Sequence, residues 1–284
     1  MISILRANAK GDVLRIEGLA RFLANQTNEE INIVTKHPDI INSPNQLVKT
    51  NLQVTDKVIN LNNHTERIQR ATESKADSID INYLNILNKT FNTQLPLPRF
   101  NFKKQKKEDF ILYCPEAANI TWSGTENYIT EWTHRVWYKD NFAKLISRLN
   151  KDYEIKESCF LKNSLQLEGV ENVSRWWTDI NSVLENISKA KLVICNDSLL
   201  FHLAVLADVP VLVIAPLKNY FEASYNLAGY NNVVEFFVTC EDQHECKLLD
   251  HKSYSEIHYN DTSCIHSISV ESVYNKTKEI LNNV

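Results

Sequence analysis

Short apolar runs recur along this chain, and each is followed by a stretch with helical spacing. Ile2-Ser3-Ile4-Leu5 reads as a first buried strand, and the loop Arg6 to Asp12 leads into a helix ending near Asn25. Ile31 to Thr35 predicts a second strand and Lys57 to Leu61 a third. Strand alternating with helix from the first residue predicts a doubly wound α/β domain, with parallel strands joined by covering helices. The polar stretch 62–95 carries one apolar stripe, Ile79-Ile81-Leu84-Leu87, and predicts one or two surface helices.

Leu95-Pro96-Leu97-Pro98 and the charged run Lys103 to Asp109 read as a linker, dividing 1–105 from 106–284. The second part repeats the alternation. Phe110 to Tyr113 predicts a strand, Asp140 to Leu149 a helix, 154–160 a weak strand and Asp179 to Ala190 a helix. Lys191 to Pro216 is the most organised stretch. Leu192-Val193-Ile194-Cys195 suits a strand buried on both faces, and Asn196-Asp197-Ser198 are all residue types that cap helices. Leu199 to Ala207 reads as a helix apolar on nearly every side, and Val211 to Ile214 as the next strand. The tail from Val270 to Leu281 has helical spacing. Two such α/β domains leave a cleft between the carboxyl ends of two parallel sheets, where these folds bind ligands.

Composition narrows the class. A chain of 284 residues can bury a substantial core, and a net charge of −4 offers no basic field for nucleic acid. No run approaches the roughly 18 apolar residues of a membrane span, and the N-terminus is too short in its apolar part for a signal peptide. Six cysteines without an export signal point to reduced thiols in a cytoplasmic protein. Cys240, Cys246 and Cys264 with His244 and His251 form the one candidate metal cluster, but C-x-x-x-H is not a standard zinc spacing and a fourth ligand is lacking.

Candidate chemistry gathers at two strand-to-helix corners. Asp12 follows the first strand, where a carboxylate could take a proton from a nucleophile or simply cap the helix. Lys10 and Arg6 border the same loop, as anion contacts or as solvated cations. Ser198 and His202 are four residues apart and share a helix face at its N-terminal end, a natural seat for phosphate. The plainer account makes Ser198 a cap and gives His202 an internal hydrogen bond.

These residues also carry a resemblance. Asn196 to Pro210, NDSLLFHLAVLADVP, is similar to the D-T/S-G-x-x-H-x-A-x-x-x-x-x-P segment of glycosyltransferase family nine, the bacterial heptosyltransferases, with Leu199 in place of the glycine. Asp197, Ser198, His202, Ala204 and Pro210 fall on the matching positions. ILRANAKGDVLRIEG resembles the family's opening strand and G-D-x-x-x-x-x-P, with Gly18 replacing the proline. HRVWYKDNFAKLISRL resembles K-x-W-P-x-x-x-F/W-x-x-L, with Arg135 at the lysine, and Trp137 and Phe142 more simply core. Ile111 to Ala118 takes the place of a strand ending in H-P-G-A/S/T, with Glu116 at the glycine. TSCIHSISVESV resembles the cysteine block before the last helix.

The resemblance implies a GT-B-like fold, two Rossmann-type doubly wound domains facing a central cleft, with acceptor on the N-terminal side. It implies an inverting glycosyltransferase of lipopolysaccharide biosynthesis with Asp12 as general base. Donor contacts fall to Arg135, Asp197, Ser198, Leu199, His202 and Ala118, and acceptor or phosphate contacts to Lys10 and Arg6. The partners implied are a nucleotide sugar such as ADP-heptose and a saccharide or lipid-linked acceptor, met at the inner face of the membrane. No metal or other cofactor is required, because helix dipole, Arg135 and His202 supply the positive charge. The segment Asn119 to Thr133 reads as a lid over the donor or as a cover for core. The alternatives are a non-catalytic nucleotide-sugar-binding protein and a sugar-nucleotide epimerase or hydrolase on the same fold, for which Glu116 is the unexplained acid.

Overall fold

The computed structural model describes residues 1–6, 10–41, 45–55, 57–61, 79–97, 105–116, 136–159, 164–196, 198–214, 233–237, 265 and 268–283; the side chains of 10–12, 79–82 and 233–237 are not described. Strand β1 (Ile2–Leu5) leads into helix α1 (Lys10–Thr27), followed by β2 (Ile31–Val34), β3 (Val48–Thr50), β4 (Val58–Asn60) and α2 (Ile79–Phe91). The four strands form one sheet in the order β3-β2-β1-β4. Every pairing in it is parallel, with Ile4 opposite Ile33 on one side and Ile59 on the other.

The second sheet comprises β5 (Phe110–Cys114), β6 (Glu154–Glu157), β7 (Glu171–Asn172), β8 (Leu192–Asn196), β9 (Val211–Ile214) and β10 (Val233–Phe237). Between them run α3 (Lys139–Leu149), α4 (Ile180–Ile187) and α5 (Leu199–Leu206), and α6 (Val270–Asn283) closes the chain. The spatial order β10-β9-β8-β5-β6-β7 is parallel throughout. Connections therefore run outward in one direction from β5 and in the other from β8. The edge between those two strands is the topological switch point, the place at the carboxyl ends where folds of this kind bind ligands.

Burial follows from this layering. One face of the second sheet packs Ile111, Tyr113, Ile194 and Leu212 against Trp137, Phe142 and Ile146 of the α3 region and Val273 and Ile280 of α6. Trp137 and Phe142 are core, as their apolar surface dictates, with ring centroids 5.2 Å apart in an edge contact. Helix α1 has two apolar sides. Ile16, Leu19, Ala20 and Leu23 join the core of the first sheet. Val13 and Leu14, at its N-terminal end, join instead the cluster of Val193, Cys195, Leu200 and Phe201 from β8 and α5. The helix is consequently buried continuously from Val13 to Arg21, charged residues included.

Several expectations change. Lys10, Gly11 and Asp12 are helical and not loop residues, because α1 starts three residues earlier than its apolar spacing suggests. Asp12 is thus inside the first turn, not at the N-cap. Asn196 ends β8 instead of capping a helix. The strand expected near 154–160 stops at Glu157, and α4 stops at Ile187. Strands β3, β7 and β10 were not predicted. The apolar stripe at 79–87 does lie on one helix, with Leu84 and Leu87 buried.

Candidate functional site

The switch point is built by three chain segments that one residue holds together. Asn196, fully buried at the end of β8, donates from Nδ2 to the Pro115 carbonyl oxygen at 2.8 Å. Its Oδ1 accepts from the Trp137 backbone N–H at 3.2 Å. Pro115 follows β5 and Trp137 precedes α3, so Asn196 staples together the two ends of the β5–α3 connection. Trp137 is anchored again through Nε1, which donates to the Ile268 carbonyl at 3.1 Å. An amide suits this position because it offers a donor and an acceptor to two backbone groups that would otherwise be buried unpaired.

Helix α5 begins two residues further on. Its N-cap residue, Ser198, has extended backbone angles of φ −142° and ψ 174°, but its side chain makes no capping bond. Only 7% of the residue is exposed, and among the described residues no group meets its hydroxyl with hydrogen-bond geometry. The Cys114 thiol is close enough to sense that hydroxyl, yet no bond of proper geometry forms between them. Burial first, and the Glu116 carboxylate second, push the Cys114 thiol well above the ordinary thiol range, while the Ser198 hydroxyl acts weakly in the opposite sense. A buried hydroxyl left unpaired is costly, and a group bound beside it would gain a hydrogen bond.

His202 lies one turn along α5 and is half-buried. Its Nδ1 is 3.0 Å from Nη2 of Arg15, an α1 residue with only 1% of its surface exposed. The internal hydrogen bond expected of this histidine therefore exists, but its partner comes from the first sheet's helix. Sequence reading missed Arg15 altogether. Leu199, the residue in place of the family's glycine, is half-buried and packs against the core shared by α1 and α5. Arg6, expected as a loop cation, is buried at 6% exposure instead of solvated, and its backbone N–H bonds Val34 at 3.0 Å.

Glu157, at the carboxyl end of β6, is a buried acid. It accepts from the Tyr113 hydroxyl at 2.8 Å, the Leu165 N–H at 2.8 Å, Asn172 Nδ2 at 3.1 Å and the Ser164 hydroxyl. Burial, followed by the Glu157 charge, pushes the Tyr113 phenol far up. This carboxylate is occupied in tying the 164–172 segment to the sheet.

Of the remaining predicted positions, Arg135, Ala118 and Asp197 lie outside the described residues, as do the segment Asn119 to Thr133 and the Cys240, Cys246, Cys264, His244 and His251 cluster. The same holds for the side chains of Asp12 and Lys10. Among the described residues no group of three or more His, Cys, Asp or Glu is placed to hold a metal ion. Among them, too, no helix is long and apolar enough to cross a membrane.

Sequence comparison finds no matching family profile and no matching curated relative. Comparison of the fold with solved structures does find likenesses. A glycosyl transferase family 9 protein from Veillonella parvula aligns over 100% of this chain and 97% of its own, with TM-score 0.62 and 15% identity. The E. coli ADP-heptose lps heptosyltransferase II aligns over 100% of this chain and 99% of its own, with TM-score 0.56 and 13% identity. TibC, an iron-containing dodecameric glycosyltransferase from enterotoxigenic E. coli, aligns over 99% of this chain and 76% of its own, with TM-score 0.63 and 10% identity. At these identities the likeness is one of fold. The chain is GT-B-like, with two Rossmann-type parallel sheets.

Proposed function

We propose that this chain is an inverting glycosyltransferase that moves a sugar, heptose from ADP-heptose, onto a saccharide or lipid-linked acceptor at the inner face of the membrane. The observation that carries the reading is the end of α5: it opens at the switch point with a buried hydroxyl that caps nothing. An anion seated there would meet first-turn N–H groups and the Ser198 hydroxyl, with His202 one turn further on. A nucleoside diphosphate has that chemistry, and the fold is one shared with heptosyltransferases.

In this reading Asp12 takes the proton from the acceptor hydroxyl as its oxygen attacks the anomeric carbon. The bond from that carbon to the diphosphate oxygen breaks on the opposite face, and the leaving group keeps the electron pair. Its growing charge falls on the α5 end, with Arg135, Asp197 and Ala118 as further donor-side contacts and no metal needed. Lys10 and Arg6 serve the acceptor or the phosphates. Asp12 precedes Arg15 by one turn of α1, and Arg15 touches α5, so the two corners belong to one neighbourhood. Leu199 favours a second reading, a protein that binds nucleotide sugars without turning them over, because a half-buried leucine narrows the phosphate seat.

Thermal-shift measurements with ADP-, UDP-, GDP- and dTDP-sugars, followed by a transfer assay, test both. We expect one nucleotide class to stabilise the protein by about 2.7 kcal/mol at a hundredfold excess over Kd. Asp12→Ala should keep that shift and lose about 10²- to 10⁴-fold in transfer. Binding without turnover in the wild type favours the second reading. No shift with any donor defeats both.

A further inference from the structure

The bond between Arg15 and His202 fixes more than a distance. A guanidinium has only N–H donors and keeps its charge at any pH a protein survives. With Nη2 of Arg15 3.0 Å from Nδ1 of His202, the ring nitrogen must be the acceptor. The ring's proton then sits on Nε2, and a second proton on Nδ1 would set N–H against N–H. We propose that Arg15 is a positioning residue that holds His202 as the neutral Nε2–H tautomer, so that the histidine offers a hydrogen bond to an anion at α5 while the positive charge behind it belongs to Arg15.

Two features support this assignment. Arg15 is almost wholly out of water, and its guanidinium meets the ring at hydrogen-bond distance. It also comes from α1, so the charge of the anion seat is supplied across the junction of the two sheets. Helix α5 itself, Leu199–Leu206, carries no charged residue. A shift of α1 against α5 would therefore alter both His202 and the first turn of α1 in which Asp12 lies. The ligand part of the proposal rests on the nucleotide-sugar reading above; the tautomer does not.

The test is nitrogen NMR on the full chain labelled at histidine, with His202→Gln identifying the resonances. In the wild type without ligand we expect Nδ1 unprotonated and Nε2 protonated at neutral pH. Arg15→Lys keeps a donor and should keep that tautomer, whereas Arg15→Met should lose the preference. With ADP as probe, Arg15→Met should bind about tenfold more weakly and Arg15→Lys should recover most of the loss. A wild-type ring protonated on Nδ1, alone or together with Nε2, overturns the proposal. So does an Arg15→Met protein with unchanged tautomer and ADP affinity. The wild-type spectrum and Arg15→Lys decide the matter should Arg15→Met fail to fold. If the wild type shows the Nε2–H tautomer but binds no ADP, the nucleotide reading and the anion role fall while the positioning of the ring stands.

Discussion

Helices α4 and α5 are both eight residues long and lie in the same half of the molecule, but they begin differently. At α4 the N-cap is Asp179, exposed, whose Oδ1 accepts from the backbone N–H of Asn181 at 2.9 Å and Ser182 at 3.1 Å. At α5 the N-cap is Ser198, buried, whose backbone takes up nearly the same extended angles but whose side chain closes nothing. A surface helix end without a ligand needs its own cap, and sequence supplied one. The buried end at the switch point has a residue type that could cap it and does not. The difference separates an end closed by its own cap from an end whose cap residue makes no capping bond.

The largest effect should come from removing what holds the open end in place. Asn196→Ala leaves the Pro115 carbonyl and the Trp137 N–H buried and unpaired, at a cost of about 2–4 kcal/mol in urea unfolding. Asn196→Asp is a finer probe. A carboxylate still accepts from Trp137, but it turns an oxygen toward the Pro115 carbonyl, so this variant should also be destabilised. If either variant unfolds like the wild type, the staple is not holding the two loops.

The sequence made some of this legible and hid the rest for physical reasons. Runs such as Leu192 to Cys195 and Val211 to Ile214 are continuously apolar because both faces of their strands are buried, and that pattern is visible without a structure. Strands β3 and β7 are Val-Lys-Thr and Glu-Asn, short and polar, and exist only because a neighbour offers a free edge. Ser198 and His202 were found by helical spacing. Arg15 was not, since an arginine in a helix ordinarily means a wet face. The one available hint was that α1 beyond Asp12 lacks such a face: Arg15, Glu17 and Arg21 are scattered among apolar residues. Glu17 and Arg21 are four apart, and in the fold they form an ion pair at 3.5 Å with 1% and 10% of their side chains exposed. Asn196 was noticed as a capping type, and its use as a staple depends on loops far away in sequence.

A smaller effect is expected at the closed end. Asp179→Ala should cost about 1 kcal/mol, the usual worth of an N-cap, without changing ADP affinity. The bonds from Ser182 and Asn181 hold the Asp179 carboxyl below the ordinary aspartate range. Because the folded state favours the ionised form, this contribution is complete above the unfolded value, near 4, and fades as pH falls through the folded one. The stability gap between wild type and Asp179→Ala should therefore be flat around neutrality and narrow in acid. A gap that widens in acid contradicts the cap.

The smallest effect on stability is expected at Ser198, and it discriminates most. A serine that capped α5 would lose about 1 kcal/mol on mutation to alanine, as at α4. A buried hydroxyl with no partner loses nothing, and its removal relieves a desolvation penalty, so Ser198→Ala should unfold at the same urea concentration as wild type or slightly higher. ADP affinity should nevertheless fall by about ten- to a hundredfold, the worth of one hydrogen bond to a charged ligand. The two measurements thus move independently only if the hydroxyl faces a ligand. Should Ser198→Ala instead lose as much stability as Asp179→Ala and bind ADP unchanged, the two helix ends are alike, and the anion seat at α5 has no observation left to support it.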